Sequence, residues 1–317
     1  MNPNTNNKDT TTATNITRDA SQICTATLPV VAGAVVTWTV QSVSNGSASY
    51  PLINVLENPI PSCGNPGNTL TFCGKVFLQG PFDSAARSMR TTLNSQGILQ
   101  RFAVNHPYSI APFNYTGLEA VGAGFFAAHP DIIDWVLLEL RDANAPLAIV
   151  SKRAVFLNKD GTLVDTGGIN KTITFKGVSA GRYYVAVQHR NHLGIRTSTA
   201  IDFASCSACY DFTTGNFKSF RNQEYTSPEQ KGTAWVMRGG DATMNRTVLY
   251  SSPGNDQTYI LNALLGGSLS GMLRDVYSPG DLNMNGMITW SGPDNEQTFL
   301  LNTVLSGFLS GILTQQF

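Results

Sequence analysis

Residues 241–273 and 281–313 are two copies of one unit: in a register of 40 they align without a gap, and about half of the paired positions are identical. Asp241 matches Asp281, Asn245 matches Asn285, Asn255 matches Asn295, Leu261 matches Leu301, and Ser270-Gly271 matches Ser310-Gly311. Identity of that extent at a fixed period marks an internal duplication, so this part of the chain must fold as two equivalent units. Each copy opens with a polar loop and runs into an apolar segment, Thr258–Leu265 or Thr298–Leu305. Tyr259, Leu261, Leu264 and Leu265 are too dense for a solvated helix, so the two predicted short helices must bury against a partner surface, each other in the simplest case. Phe308, Leu309, Ile312 and Leu313 add further apolar surface, available to the rest of the chain or to another subunit.

The loops have the chemistry of a hard-cation site. Calcium takes six to eight oxygens, and a loop curling around it offers them at alternate positions. The second copy supplies Asp281, Asn283 and Asn285, then Gly286 for the turn, the carbonyl of Met287, and a late carboxylate from either Asp294 or Glu296. The first supplies Asp241, Thr243, Asn245, the carbonyl of Thr247, and Asp256, with Arg246 in place of the turn glycine. In this pattern the pair resembles a degenerate dockerin-type calcium module. That resemblance implies calcium as the bound ion, more readily in the second loop than in the first. Thr and Asn stand where further carboxylates often occur, and both copies insert residues before the last ligand, which implies weak binding. The alternative is a pair of turns held by Asx side chains alone.

Upstream the sequence is strand-like. Ala34–Val40, Ile132–Arg141, Leu147–Val155, Ile173–Phe175 and Tyr183–Val187 are apolar and β-branched, and Asp160-Gly161 between apolar runs signals a hairpin. A further block begins at Lys75-Val76-Phe77-Leu78-Gln79-Gly80, and Ala85, Met89 and Leu93 recur at helical spacing, which predicts a helix within Phe82–Leu99. Short strands at this spacing predict a mainly β chain with an antiparallel β-sandwich. Phe175–Val187, with its Ala180-Gly181-Arg182-Tyr183-Tyr184-Val185 turn into a strand, resembles the closing hairpin of transthyretin-like and Cna-B-like sandwiches. The domains expected are an Asn/Thr-rich arm (1–22), an N-terminal β segment (23–73), the sandwich (74–212), a connector (213–239) and the dockerin-like repeat (240–317).

More broadly, Lys75–Pro81, Asp134–Arg141 and Val187–Gly194 are similar to a module of large secreted surface proteins of Gram-negative bacteria, usually described as adhesin- or haemagglutinin-like. Charged residues make up 13% of the chain, against roughly 25% in an average soluble domain, and the formal net charge is zero. Without clustered Lys and Arg, nucleic acid is not an expected partner. No run reaches the roughly 20 apolar residues of a membrane helix, and Met1–Asn7 lacks the basic start and apolar core expected of a signal peptide. The chain is then expected to be either cytosolic or a mature or trimmed secreted product, and composition favours the second, an extracellular or cell-surface chain.

There are five cysteines. Cys63 and Cys73 bracket a turn-rich segment suited to a loop-closing disulfide. Cys206 and Cys209 form a C-x-x-C, read as a small structural disulfide, with a redox motif or a zinc half-site as alternatives. That leaves Cys24 buried or pairing between subunits. His189 and His192 could chelate a transition metal or supply a base, but a loop-shaping role is the simpler reading. Asp134 and Glu139, an odd number apart on one strand, face opposite ways and make a poor acid pair. Acceptor patterns for N-glycosylation occur at Asn15, Asn45, Asn114, Asn170 and Asn245, and Asp9-Thr10 and Asp83-Ser84 are similar to bacterial O-glycosylation sites.

The function expected from these observations is non-enzymatic: adhesion, or self-assembly into a surface fibre or multimer, with copies of itself or another surface protein as partners. A carbohydrate-binding or dockerin-type anchoring module, with glycans as ligands, is the alternative. A metal-dependent hydrolase centred on His189 and His192 is the third reading.

Overall fold

The computed structural model describes residues 14–18, 24–27, 69–221 and 228–317, the first two stretches as backbone. The chain divides into two units, Met1–Pro61 and Ser62–Phe317. In the first, β1 (Thr14–Arg18) and β2 (Cys24–Thr27) pair antiparallel, Arg18 opposite Cys24. The strand expected at Ala34–Val40 lies outside the described residues, as do Cys63 and most of the arm.

The second unit is mainly β. It begins with β3 (Thr69–Lys75), the short hairpin β4 (Phe82–Asp83) and β5 (Ser88–Met89), and then β6 (Ile132–Asp142), β7 (Ile149–Asn158) and β8 (Leu163–Val164). There follow β9 (Ile173–Lys176), β10 (Arg182–Gln188), β11 (Ile195–Arg196), β12 (Ile201–Asp202) and β13 (Ser207–Asp211). The larger sheet has the order β11-β10-β6-β7-β8, with β12 also on β10, and all its pairings are antiparallel. A second sheet has the order β13-β3-β9, antiparallel on the β9 side and parallel on the β13 side. The hairpin signalled by Asp160-Gly161 joins β7 to β8, and the Asp160 carboxylate accepts the Thr162 amide at 2.9 Å.

The strand β6 is buried at each of its first ten positions, the signature of a central strand covered on both faces. Trp135 pairs across the ladder with Phe156, their ring centroids 3.9 Å apart, and its indole Nε1 donates to Ala103 O at 2.7 Å. That hydrogen bond matters because a buried indole N–H without a partner would offset part of the benefit of burying the ring. One apolar cluster joins both sheets and the segments flanking them, while a second, around Val248, Ile260, Ile288, Leu300 and Val304, forms inside the repeat.

Two expectations are corrected here. The helix predicted within Phe82–Leu99 is a hairpin followed by two short helices, Thr92–Ser95 and Ile98–Phe102. Asp83 captures the amides of Ala85 and Ala86, so the chain turns where Ala85 and Met89 would have continued a helix. The disulfide pairing also differs. Cys73 bonds to Cys209, because β3 and β13 lie side by side in a register that sets these two residues opposite each other. Cys206 is disulfide-bonded as well, so the C-x-x-C does not close on itself. Among the described residues, no helix is long and apolar enough to cross a membrane.

The C-terminal part adds β14 (Glu229–Lys231), β15 (Ala234–Val236), β16 (Thr247–Leu249), β17 (Met272–Arg274), β18 (Met287–Thr289) and β19 (Ile312–Thr314). The two repeats exchange strands. Strand β16 of the first copy pairs with β19 of the second, and β17 of the first pairs with β18 of the second, both antiparallel. Residues 40 apart occupy equivalent places, so the module has a local two-fold arrangement in which neither copy completes its own ladder.

Candidate metal centre

In each copy one asparagine starts the helix. Asn255 Oδ1 accepts the Thr258 amide at 2.6 Å and Asn295 Oδ1 accepts the Thr298 amide at 2.7 Å, a capping bond that stabilises a helix start by about 1 kcal/mol. The cap places Asp256 and Glu296 at the first helical position. From there their carboxylates reach back into the loops.

Each loop closes on its first residue. Asp281 accepts the amides of Asn285 at 3.0 Å and Gly286 at 2.9 Å, and Asp241 accepts those of Asn245 at 3.0 Å and Arg246 at 2.9 Å. Asn283 Oδ1 accepts the Asn285 amide, and Asn285 Oδ1 accepts the Met287 amide. In the first loop Asn245 Oδ1 accepts the Thr247 amide. All these oxygens therefore face amides of their own loop and retain a second lone pair.

The late carboxylates differ between copies. Asp256 is satisfied at both oxygens: Oδ1 accepts from Thr243 N (3.0 Å) and Thr243 Oγ1 (3.2 Å), and Oδ2 from Leu249 N (2.9 Å). Glu296 Oε2 accepts the Leu282 amide at 3.0 Å, while its Oε1 is buried without a partner among the described residues. Of the two alternatives for the second loop it is Glu296 that enters. Asp294 stays exposed, and its main-chain carbonyl accepts Asn283 Nδ2 at 2.7 Å.

Burial dominates the electrostatics. It pushes Asp241 up to about 7, helped by the charge of Asp256, and Asp256 itself up to about 6. It likewise pushes Asp281 up to about 6, against the pull of the Arg190 guanidinium, and raises Glu296 well above the carboxylate range, with the Asp281 charge adding to the effect. Two buried acids in one loop favour either a proton or a cation. Among the described residues no three His, Cys, Asp or Glu side chains gather as a metal-holding group. An ion in either loop would therefore draw on amide, hydroxyl and carbonyl oxygens for the rest of its shell, which suits calcium better than a transition metal.

The turn glycine has a structural reason in one copy only. Arg246 and Gly286 both adopt left-handed backbone, φ 69° and 81°. At Gly286 a Cβ would lie 2.4 Å from Ile98 Cδ1 and 2.7 Å from Gln96 Oε1. The second loop thus presses on the Ile98–Phe102 helix. Arg246 instead sends its guanidinium outward, Nη2 donating to Pro112 O at 3.4 Å.

The second loop is also joined to the end of the large sheet. Arg190, buried, donates Nε to Asp134 Oδ2 at 3.1 Å and Nη1 to Ser278 O, and lies over the Tyr277 ring at 4.4 Å. Tyr277 donates its hydroxyl to Asp134 Oδ1 at 2.5 Å. Burial works against the Asp134 charge, yet Arg190 and His189 hold its carboxyl below the usual range.

The histidines belong to this joint. His192 Nε2 accepts the Gly80 amide at 3.0 Å, so its proton is on Nδ1, 2.8 Å from Asn191 Oδ1 and 3.1 Å from His189 Nδ1. His189 Nε2 lies 3.3 Å from Asp134 Oδ2, which assigns its proton to Nε2. Both rings are neutral in this arrangement, and burial lowers both pKa values, that of His192 far below its ordinary 6.5. Neither ring keeps an unengaged nitrogen lone pair. Glu139, turned the other way, pairs with Arg141 at 2.5 Å.

Sequence reasoning missed Arg190, Asn191 and Tyr277. Their partners are remote in sequence, and only the short His-Arg-Asn-His run hinted at a polar junction. No family model, curated protein or solved structure matches the chain.

Proposed function

We propose that this chain is a non-enzymatic extracellular surface protein acting in adhesion or as a self-assembling subunit of a fibre or multimer. In this reading its sheets form a sandwich of transthyretin or Cna-B type, and its C-terminal repeat is a dockerin-like module stabilised by calcium. The observation that carries the calcium part is the bare Oε1 of Glu296, fully buried in the second loop. Asp281, Asn283, Asn285 and Glu296 would hold the ion there, and Asp241, Thr243, Asn245 and Asp256 a weaker one in the first loop. Bound calcium would supply positive charge between the carboxylates, tying each loop to the start of its helix. The chain's own residues do the rest: the Asn caps aim the late acids, and the loop amides fix the early ones.

Assembly draws its support from the duplicated surface. Equivalent apolar side chains of both copies stand in solvent, Leu269 with Leu309 and Met272 with Ile312, each between 47% and 62% exposed. Paired apolar positions of this kind suit contact with copies of the chain or with another surface protein. The structural reading of His189 and His192 rests on their engaged nitrogens, which leaves the hydrolase alternative without ligands of its own.

Isothermal titration with calcium, on chain first stripped with chelator, tests the ion. Binding that weakens strongly in Glu296→Gln is expected; titration heats no different from buffer would overturn the calcium reading. Light scattering over a range of concentrations tests assembly, and a monomer at every concentration in calcium speaks against it.

A further inference from the structure

Beside the second loop, between the β4–β5 hairpin, β14 and the helix starting at Glu296, lies a cleft of about 560 Å³. That falls within the size range of small-molecule sites. Arg90 stands in its wall, exposed but fixed, with Nη2 donating to the carbonyls of Gly80 at 3.0 Å and Asn283 at 3.3 Å. Among the described residues no carboxylate pairs with it at ion-pair distance, although the exposed Asp83 feels its field. Lys231 faces the same cleft. Its Nζ pairs with Glu229 at 3.0 Å, but Glu229 is shared with Arg238 at 3.2 Å, so two cations divide one acid. Arg90 and Lys231 against Asp294 leave a net positive charge on the lining.

The rest of the lining is amide, hydroxyl and ring. Asn285 and Thr298 contribute polar groups, and Phe82 and Phe299, both half-buried, contribute aromatic surface. A ligand matching these walls has hydroxyls for the amides, an apolar ring face for the phenyl groups, and a carboxylate for the anchored guanidinium. We propose that the cleft binds a carboxylate-bearing saccharide of the uronic-acid or sialic-acid class. A wider depression of about 810 Å³ beside Trp290 and Gln297 is shallow, and its lining residues are uncharged, so it selects for no such group.

The test is titration of the full chain, with calcium present, with glucuronic acid, glucose and N-acetylneuraminic acid, followed by ligand-observed NMR. Either acidic sugar should bind at least about tenfold more tightly than glucose, the factor expected for one charge-assisted contact. Arg90→Gln should remove that preference. Because Arg90 also braces Gly80 and Asn283, Lys231→Gln provides a second variant, expected to weaken the acidic sugars more than glucose and so to reduce the preference. Equal binding of acidic and neutral sugars, no binding of any of the three, or an undiminished preference in both variants overturns the proposal. So does tighter binding of a short peptide with a free C-terminal carboxylate than of either acidic sugar.

Discussion

The side-chain amide of Asn191 donates to the main-chain carbonyl of Asp281 at 2.7 Å, while the main-chain carbonyl of Asn191 accepts the amide of Asp241 at 3.2 Å. One buried residue, at the end of the large sheet, thereby touches the first residue of both loops. Its Oδ1 also lies 2.8 Å from His192 Nδ1. The duplicated module is consequently fixed to the sheet at a point that serves both copies.

Replacing Asn191 with Ala removes the side-chain donor to the Asp281 carbonyl and leaves the His192 N–H with His189 Nδ1 alone. A buried polar group left without its partner costs roughly 1–3 kcal/mol, so a loss of about 2 kcal/mol is expected. Urea unfolding would show a lower midpoint at unchanged slope if sheet and repeat unfold together. Separate transitions for the sheet and the repeat, both within Ser62–Phe317, would contradict the idea that Asn191 links them into one cooperative body.

The two turn positions should respond in opposite ways. Gly286→Ala forces a Cβ against Ile98 in a left-handed residue, and a loss of about 2 kcal/mol or more is expected from strain and overpacking. Arg246→Gly relaxes a left-handed residue of the first loop and should be neutral or slightly stabilising. Thermal melts of the two variants decide the matter. Equal losses would show that the second loop does not depend on its contact with the helix.

Much of this was legible in the sequence, and the exceptions have physical reasons. The strands at Ile132, Ile173 and Arg182 appear where β-branched and apolar runs demand them, because local pattern and burial agree there. The duplication was visible in Asp241/Asp281 and Leu261/Leu301, but not the exchange of β16–β19 and β17–β18, since pairing depends on what lies across the ladder. Asp294 and Glu296 were indistinguishable as late ligands until the Asn295 cap fixed which of them points inward. Cys73 and Cys209 are 136 residues apart, and only the parallel pairing of β3 with β13 makes them neighbours.

That cysteine pair gives a direct chemical check. Peptide mapping under non-reducing conditions should recover a Cys73–Cys209 cross-linked peptide, and recovery of Cys206–Cys209 instead would refute the strand register. Closing so long a loop constrains the unfolded chain, with an expected contribution of about 4–5 kcal/mol. Cys73→Ser with Cys209→Ser should lower the melting temperature accordingly.

Stability should depend on pH in a way that calcium reverses. Asp241 is pushed up to about 7, and Asp256 and Asp281 up to about 6, from an ordinary 3.8. Raised acids bind protons more tightly in the folded chain, so the stability they lend is full below about pH 4 and is lost as pH rises through 6 to 7. His189 and His192 act in the opposite sense. Their lowered values mean that the unfolded chain alone takes up protons as pH falls below about 6.5, and stability declines there. The two effects oppose each other in ion-free protein. A bound cation favours the ionised carboxylates and so removes the acids' cost while leaving the histidines untouched. The gain in melting temperature on adding calcium should therefore grow steadily from about pH 5 to pH 8, and calcium binding near pH 6.5 should release protons, measurable by titration calorimetry in buffers of different ionisation enthalpy. Glu296→Gln should reduce both the gain and the proton release. A calcium-induced gain that stays constant over this range, or that is unaltered in Glu296→Gln, would mean that the buried acids are not the ion's ligands.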